Sequence, residues 1–192
     1  MPAEPVYVPR MPPPPPALMT ADELLHVRIP DKRVELVRGR LVVREPAGLR
    51  YGRVAMELAR LLANYVGDRG MGRVYAAETG FTVARDPDTV RAPDVAFIRR
   101  DRLPDPEPLG FPDLAPDLVV EVLSPGDRPG EILAKVADWL SAGTRLVWVV
   151  DPLRRVARVY RQDGTETIVM AEAALEGEDV LPGFECPLGT IL

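Results

Sequence analysis

Cysteine, histidine and lysine are all scarce in this chain of 192 residues. Cys186 is the only cysteine and His26 the only histidine, which excludes a disulfide framework and argues against a zinc site or a Ser-His-Asp triad. The two lysines are Lys32 and Lys135, so 22 of the 24 basic residues are arginines (24 − 2). Any chemistry must therefore use carboxylates, lysine, arginine or hydroxyls, and each lysine is of interest because it can lose its proton.

Long apolar runs are also missing. No run approaches the roughly 18 to 20 residues that a membrane span needs, and no signal-peptide pattern opens the chain, so we expect a cytoplasmic protein without a membrane partner. The net charge of −5 argues against a protein that coats nucleic acid. A nuclease is still allowed, because bound divalent ions and a local basic patch can override the overall charge.

The distribution of proline divides the chain into two parts. Residues 1–19 are interpreted as a proline-rich N-terminal arm, because residues 11–16 contain a polyproline II run without donors for a sheet or helix. A disordered tail, a docked arm and a ligand for a partner domain are all open interpretations of this segment. Residues 20–192 are predicted to form a single domain, which is long enough for a stable core.

Hydrophobic periodicity predicts a mixed α/β (α+β) fold with a helix on each face of a curved sheet and β-hairpins at both ends. The segment from 117 to 150 reads as strand, helix and strand, which normally form a right-handed parallel crossover. The predicted helices cover 21–27, 50–66 and 131–142; the predicted strands cover 34–37, 40–43, 73–77, 80–84, 94–98, 117–123, 146–150, 156–160 and 165–169.

Two carboxylates lie on strands that should be apolar. Glu121 is in the middle of the run from 117 to 123, and Asp94 begins the run from 94 to 98. If these strands are neighbours, the two side chains converge at one end of the sheet. Mg²⁺ would relieve their mutual repulsion while keeping several waters, so a metal site on the two strands is the leading prediction. The alternatives are that Asp94 caps a turn and that Glu121 pairs with an arginine.

Lys135 is the candidate for a catalytic cation. It lies 14 residues after Glu121, on the predicted helix that returns across the sheet, and it borders the apolar face of that helix. Its ammonium group could therefore reach the end of the sheet. The competing interpretation is a solvent-exposed pair with Glu131, because Glu131 and Lys135 have the favourable i,i+4 order.

Four further residues are weaker candidates. Glu57, at the edge of the apolar face of the first long helix, could add a third carboxylate, although a solvated position near Arg53 and Arg60 is the better explanation. Arg128, in a glycine-containing loop that lacks the GxxxxGK[ST] spacing, could meet a phosphate. Glu35 and Glu78 rank lower, since both have ordinary hairpin or turn contexts.

Several motifs together resemble a known family. They occupy Val34–Gly39, Ala92–Ile98, Asp117–Pro125, Lys135, Leu146–Pro152 and Leu181–Phe184. With them, the chain from Thr20 onward resembles the Uma family of restriction-endonuclease-like domains in the PD-(D/E)xK nuclease superfamily. The resemblance implies an αβββαβ core, which agrees with the predicted order of elements.

The resemblance also implies a metal site and its chemistry. Asp94, Glu121 and the carbonyl of Val122 would bind Mg²⁺ or Mn²⁺, which would act as a Lewis acid and lower the pKa of the attacking water. In the superfamily a lysine orients that water or stabilises the developing charge. Leu123 stands where this lysine is usual, so the role would fall to Lys135.

Three functions follow as hypotheses. The first is a metal-dependent DNA endonuclease that uses Asp94, Glu121 and Lys135. The second is a catalytically inactive protein with a nuclease fold that binds nucleic acid or a protein partner, and the third is a small-molecule phosphohydrolase. A homodimer is a guess, based on apolar hairpins near each end and on nucleases that pair two sites to cut both strands.

Overall fold

The computed structural model describes residues 17–192, so most of the predicted arm at 1–19 lies outside the described residues. The helices within that range are α1 (Ala21–Leu24), α2 (Leu49–Arg69) and α3 (Pro129–Ser141). The strands are β1 (Arg33–Val37), β2 (Arg40–Arg44), β3 (Gly72–Ala76), β4 (Phe81–Ala84), β5 (Thr89–Arg91), β6 (Val95–Arg99), β7 (Leu118–Val122), β8 (Leu146–Asp151), β9 (Val156–Arg161), β10 (Glu166–Met170), β11 (Ala174–Glu176) and β12 (Glu185–Pro187).

A mixed six-stranded sheet forms the centre of the fold. Its strand order is β10-β9-β8-β7-β6-β3. Strands β7 and β8 are parallel and are joined by α3, whereas the other neighbouring pairs are antiparallel. The elements α2, β3, β6, β7, α3 and β8 reproduce the predicted αβββαβ core, and the hairpins β1-β2 and β9-β10 lie toward the two ends of the chain. The predicted fold class is confirmed.

The side chains of β7 alternate between two hydrophobic cores. Leu118, Val120 and Val122 pack in the same core as Val54 and the other buried residues of α2. On the opposite face, Val119 packs in the core that contains Trp139 of α3. Because side chains alternate along a strand, Glu121 shares the face of Val119, as the predicted alternation required, and points toward α3.

A second sheet was only partly predicted. The order β2-β1-β5-β4 places the first hairpin beside β5, a strand that periodicity did not reveal because it contains only three residues. The predicted strand at 80–84 exists as β4, but it pairs with β5 and does not join the central sheet. Residues 92–94 then lead directly from β5 into β6, so the two sheets meet at this short segment.

The helices differ from their predicted bounds only at the ends. Helix α1 begins at a capping box, in which Thr20 and Glu23 bond reciprocally, but it contains four residues where seven were predicted. Helix α2 is longer than predicted and ends at Gly70, whose φ of 61° is readily adopted by glycine. No helix within residues 17–192 combines the length and the apolar character that a membrane span requires.

Gly72 allows β3 to pair with β6. Its φ is 156°, and a Cβ atom added there would lie 2.0 Å from the carbonyl oxygen of Ile98 on the neighbouring strand.

We therefore expect Gly72→Ala to lower the free energy of unfolding by on the order of 2 to 3 kcal/mol, since the backbone of β6 must move. Urea unfolding would measure the change. Gly67→Ala is the control, because a Cβ there meets nothing within 4 Å; equal losses in both variants would refute the assignment to close packing.

Candidate active site

Glu121 is a buried carboxylate whose two oxygens both accept hydrogen bonds from α3. The residue is 5% exposed. Lys135 Nζ donates to Oε2 at 2.8 Å, and Trp139 Nε1 donates to Oε1 at 2.9 Å. The alternative of an arginine partner is wrong, because the cation beside Glu121 is a lysine. The strand β7 thus presents a carboxylate that α3 holds in one orientation.

Asp94 lies beside Glu121 at the start of the neighbouring strand. The backbone N–H of Asp94 donates to Val120 O at 3.1 Å, and Val122 N donates back to Oδ2 of Asp94 at 2.8 Å. Oδ1 accepts hydrogen bonds from the hydroxyl of Tyr51 and, at 3.3 Å, from Nη1 of Arg33. The β6-β7 register, continued by one residue, places Asp94 opposite Glu121. The predicted convergence of the two carboxylates is therefore present.

Lys135 points into the site and not toward solvent. Besides its bond to Glu121, its ammonium group lies 3.1 Å from Oε1 of Glu35 and donates to Ala92 O at 3.2 Å. The alternative of an exposed pair with Glu131 is wrong, because Glu131 instead accepts a hydrogen bond from Arg44 at 2.9 Å. The lysine therefore bridges the two sheets from the helix that connects β7 with β8.

Glu35 belongs to this site, although it ranked low among the residues predicted from the sequence. It is 4% exposed, and its oxygens accept from Ala92 N at 2.9 Å and from Nη1 of Arg91 at 3.1 Å. Arg91 in turn donates to Oδ2 of Asp138 through Nε and Nη2. The family motif at residues 34–39 was the one indication in the sequence that Glu35 belongs to the site. Periodicity could not show this, because Glu35 meets α3 only through the strand pairing of the second sheet.

Burial and neighbouring charges shift the protonation of these groups. Burial raises the pKa of Glu121 to about 7, because the positive charge of Lys135 offsets only part of the desolvation and the carboxylates of Asp94 and Glu35 add to the rise. Burial opposes the charge of Glu35 too, but Lys135 and Arg91 outweigh it and lower the pKa of that carboxyl. The pKa of Lys135 is raised despite its burial by the same carboxylates, so the lysine stays protonated.

The two supporting candidates lie outside the pocket that contains these residues. Glu57 pairs with Arg60 on the surface of α2, and its side chain is 36% exposed. Arg128 is the N-cap residue of α3 and is exposed. Neither lines the pocket, which has a volume of about 190 Å³ and includes Asp94, Glu121 and Lys135. Val122 and Leu123 do line it.

The donor set of the site fits a hard divalent cation. The ion pairs of the site contain four carboxylates (Glu35, Asp94, Glu121 and Asp138) and three cations (Arg33, Arg91 and Lys135), which leaves one negative charge in excess (4 − 3) when Glu121 is ionised. Among residues 17–192, no three His, Cys, Asp or Glu side chains are arranged to hold a metal by themselves. Mg²⁺ needs no such cage, because it is usually bound by one or two carboxylates and keeps several waters.

The described fold belongs to the restriction-endonuclease-like class. A solved structure described as "a putative nuclease belonging to DUF820", from Anabaena variabilis, superposes with a TM-score of 0.78 at 20% identity, over 90% of this chain and 97% of that one. The chain is a member of the Uma2 family, whose description is "Putative restriction endonuclease" and whose model matches residues 21–189. No curated protein is significantly similar to the chain.

The raised pKa of Glu121 predicts a measurable link between pH and stability. In the unfolded chain the pKa of Glu121 is near 4.5, so below this pH the carboxyl holds its proton in both the folded and the unfolded chain. Above the folded pKa of about 7, the folded chain must bury the charge of Glu121. In EDTA, the free energy of unfolding of Glu121→Gln should therefore rise by about 3 kcal/mol relative to that of the parent as the pH increases from 4.5 to 8. Urea unfolding at several pH values would measure the difference, with Glu57→Gln as the control. If the free energies of unfolding of the parent and Glu121→Gln changed with pH in the same way, the raised pKa of Glu121 would be contradicted.

Proposed function

We propose that this chain is a metal-dependent endonuclease that hydrolyses phosphodiester bonds in DNA. The observation that carries the proposal is the position of Lys135, whose ammonium group lies in one pocket with Asp94 and Glu121. Two carboxylates on adjacent strands with a lysine beside them form a set of groups suited to phosphodiester hydrolysis. Membership in a family described as restriction endonucleases supports the same reaction class.

Asp94 and Glu121, with the carbonyl of Val122, are the groups that would hold Mg²⁺ or Mn²⁺. Such an ion supplies Lewis-acid chemistry and a more acidic water when it is bound. The excess negative charge of the network supports this assignment, since a divalent cation would offset the burial of the Glu121 charge, which is the main cause of its raised pKa, and the repulsion from Asp94 and Glu35 that adds to it.

The protein residues have separate tasks in this proposal. Lys135 keeps its proton, because the neighbouring carboxylates raise its pKa, so it acts as a hydrogen-bond donor to developing negative charge and not as a base. Glu35, which Lys135 and Arg91 together keep ionised, fixes the ammonium group from the side of the second sheet. Trp139 holds Glu121 by its indole N–H and covers it from solvent.

A local concentration of cations supports a phosphate-containing substrate. Lys32, Arg33 and Arg44 line the same pocket as Lys135. Each of the three is ion-paired, Lys32 with Glu45, Arg33 with Asp94 and Arg44 with Glu131, so each would meet a phosphate in exchange for its carboxylate. Phosphate contacts of this kind position a nucleic acid without reading its sequence.

Loss of either carboxylate should remove DNA cleavage. We expect purified protein with Mg²⁺ to nick supercoiled plasmid, and Asp94→Asn and Glu121→Gln to lower the rate at least about 100-fold, a typical loss when a key electrostatic group is removed. Gel analysis of the nicked plasmid would measure the rates. Glu57→Gln is the control and should cut like the parent, and EDTA should stop all cleavage. Equal rates for parent and Glu121→Gln would assign the activity to a contaminant or to another site.

Lys135 variants separate a charged donor from a base. Lys135→Met should lower kcat at least about 100-fold, whereas Lys135→Arg should retain part of the activity because arginine keeps a donor that carries a charge. The same plasmid assay, with thermal unfolding to confirm the fold of each variant, would measure this. If Lys135→Arg were as inactive as Lys135→Met while both stayed folded, the donor role would be wrong.

A further inference from the structure

A groove along the start of α2 lies beside the candidate active site. The α2 groove, as we name it, lies between α2, the end of β3 and the loop before α2, and has a volume of about 560 Å³. Its walls include the small side of α2 at Gly52, Ala55 and Ala59, together with Ala76 and Ala77 at the end of β3. Small residues therefore line both walls of the groove.

The groove and the active-site pocket share one wall. Arg33, Tyr51 and Asp94 line both cavities. The guanidinium group of Arg33 lies 5.6 Å from the centre of the Tyr51 ring, and the Tyr51 hydroxyl contacts Asp94. A molecule whose reacting group lies at Asp94 therefore has its neighbouring part beside this Arg33-Tyr51 pair.

The sizes of the two cavities suit different parts of one substrate. The active-site pocket, at about 190 Å³, is smaller than usual ligand pockets, which begin near 300 Å³. It has room for a phosphate group with its waters and ions. The α2 groove, at about 560 Å³, lies within the usual range for a small organic ligand.

The charges of the groove indicate a base and not a row of phosphates. Asp31, Glu78 and Asp94 line it against two cations, Lys32 and Arg33, so its ionisable side chains are not predominantly basic. A phosphate chain would be repelled along much of this surface. Carboxylates accept hydrogen bonds from exocyclic amino groups of bases, and aromatic rings and arginine stack on base faces.

We infer that the α2 groove binds an unpaired nucleobase next to the phosphate that lies at Asp94 and Glu121. The inference deepens the proposed function and depends on it only for the position of the phosphate. A base in a duplex must be unpaired and unstacked before it can enter, which costs a few kcal/mol. The preferred substrate is therefore single-stranded or locally unpaired DNA, and intact duplex binds less well.

Two glycines of α2 offer a matched pair of variants. A Cβ atom at Gly52 meets nothing within 4 Å, and Gly52 lines the groove, so Gly52→Phe should fill the groove without a backbone clash. Gly67 also has open space around a Cβ atom, but it lies near the other end of the helix and outside the groove. Gly67→Phe is thus the control for the effect of a large apolar side chain on this helix.

Fluorescence anisotropy in EDTA would measure binding without cleavage. The probes are a labelled oligodeoxynucleotide of about 12 residues, as a single strand and as a duplex of the same sequence. We expect the parent to bind the single strand more tightly than the duplex. Gly52→Phe should weaken single-strand binding at least about tenfold, the loss expected for one stacked base, whereas Gly67→Phe should bind like the parent.

Different outcomes separate this inference from the proposed function. Groove-dependent binding without any plasmid nicking would refute the nuclease and leave the binding site intact. Plasmid nicking with single-strand binding unchanged in Gly52→Phe would refute the groove and leave the nuclease intact. The inference is overturned if neither probe binds to the parent. It is also overturned if Gly52→Phe changes the sedimentation of the protein but not its binding of the single strand, because the groove would then be a contact between two copies.

Discussion

The ion pairs of Lys135 with Glu121 and Glu35 are the interaction on which the site depends. Lys135 comes from α3, Glu121 from the central sheet and Glu35 from the second sheet, so one ammonium group joins three parts of the fold. Such a network is costly to bury and contributes little net stability, but removal of one member leaves an uncompensated charge that costs about 3 to 5 kcal/mol. Its presence in the interior therefore favours a role in chemistry over a role in folding.

The meeting of the two sheets explains where the site lies. Residues 92–94 leave the second sheet and enter the central one, and they place Asp94 beside Glu121 while the Ala92 backbone contacts both Glu35 and Lys135. The antiparallel pairing of β6 with β7 fixes the two carboxylates, whereas the parallel crossover through α3 brings the lysine back above them. Asp94, at the end of this junction, also lines the α2 groove.

Local patterns in the sequence were enough for the parts of the fold that have regular periodicity. Spacing predicted which side chains of β7 share a face, and it predicted the lengths of α2 and α3 to within a few residues. It also offered the inward position of Lys135 as one of two interpretations. The roles of Glu35 and Arg91 did not follow, because they depend on a pairing of β1 with β5 that spans more than 50 residues and leaves no periodic trace. Arg33 was missed for the same reason.

The separation of Glu35 and Lys135 along the chain has a consequence for when the site exists. Their contact joins positions 100 residues apart (135 − 35), and contacts between distant positions form late, since loop closure must come first. A chain that has not yet emerged from the ribosome as far as residue 135, or one cut between these positions, lacks the contact between Glu35 and Lys135. The pocket is thus complete only when β1 and α3 have folded together in one chain.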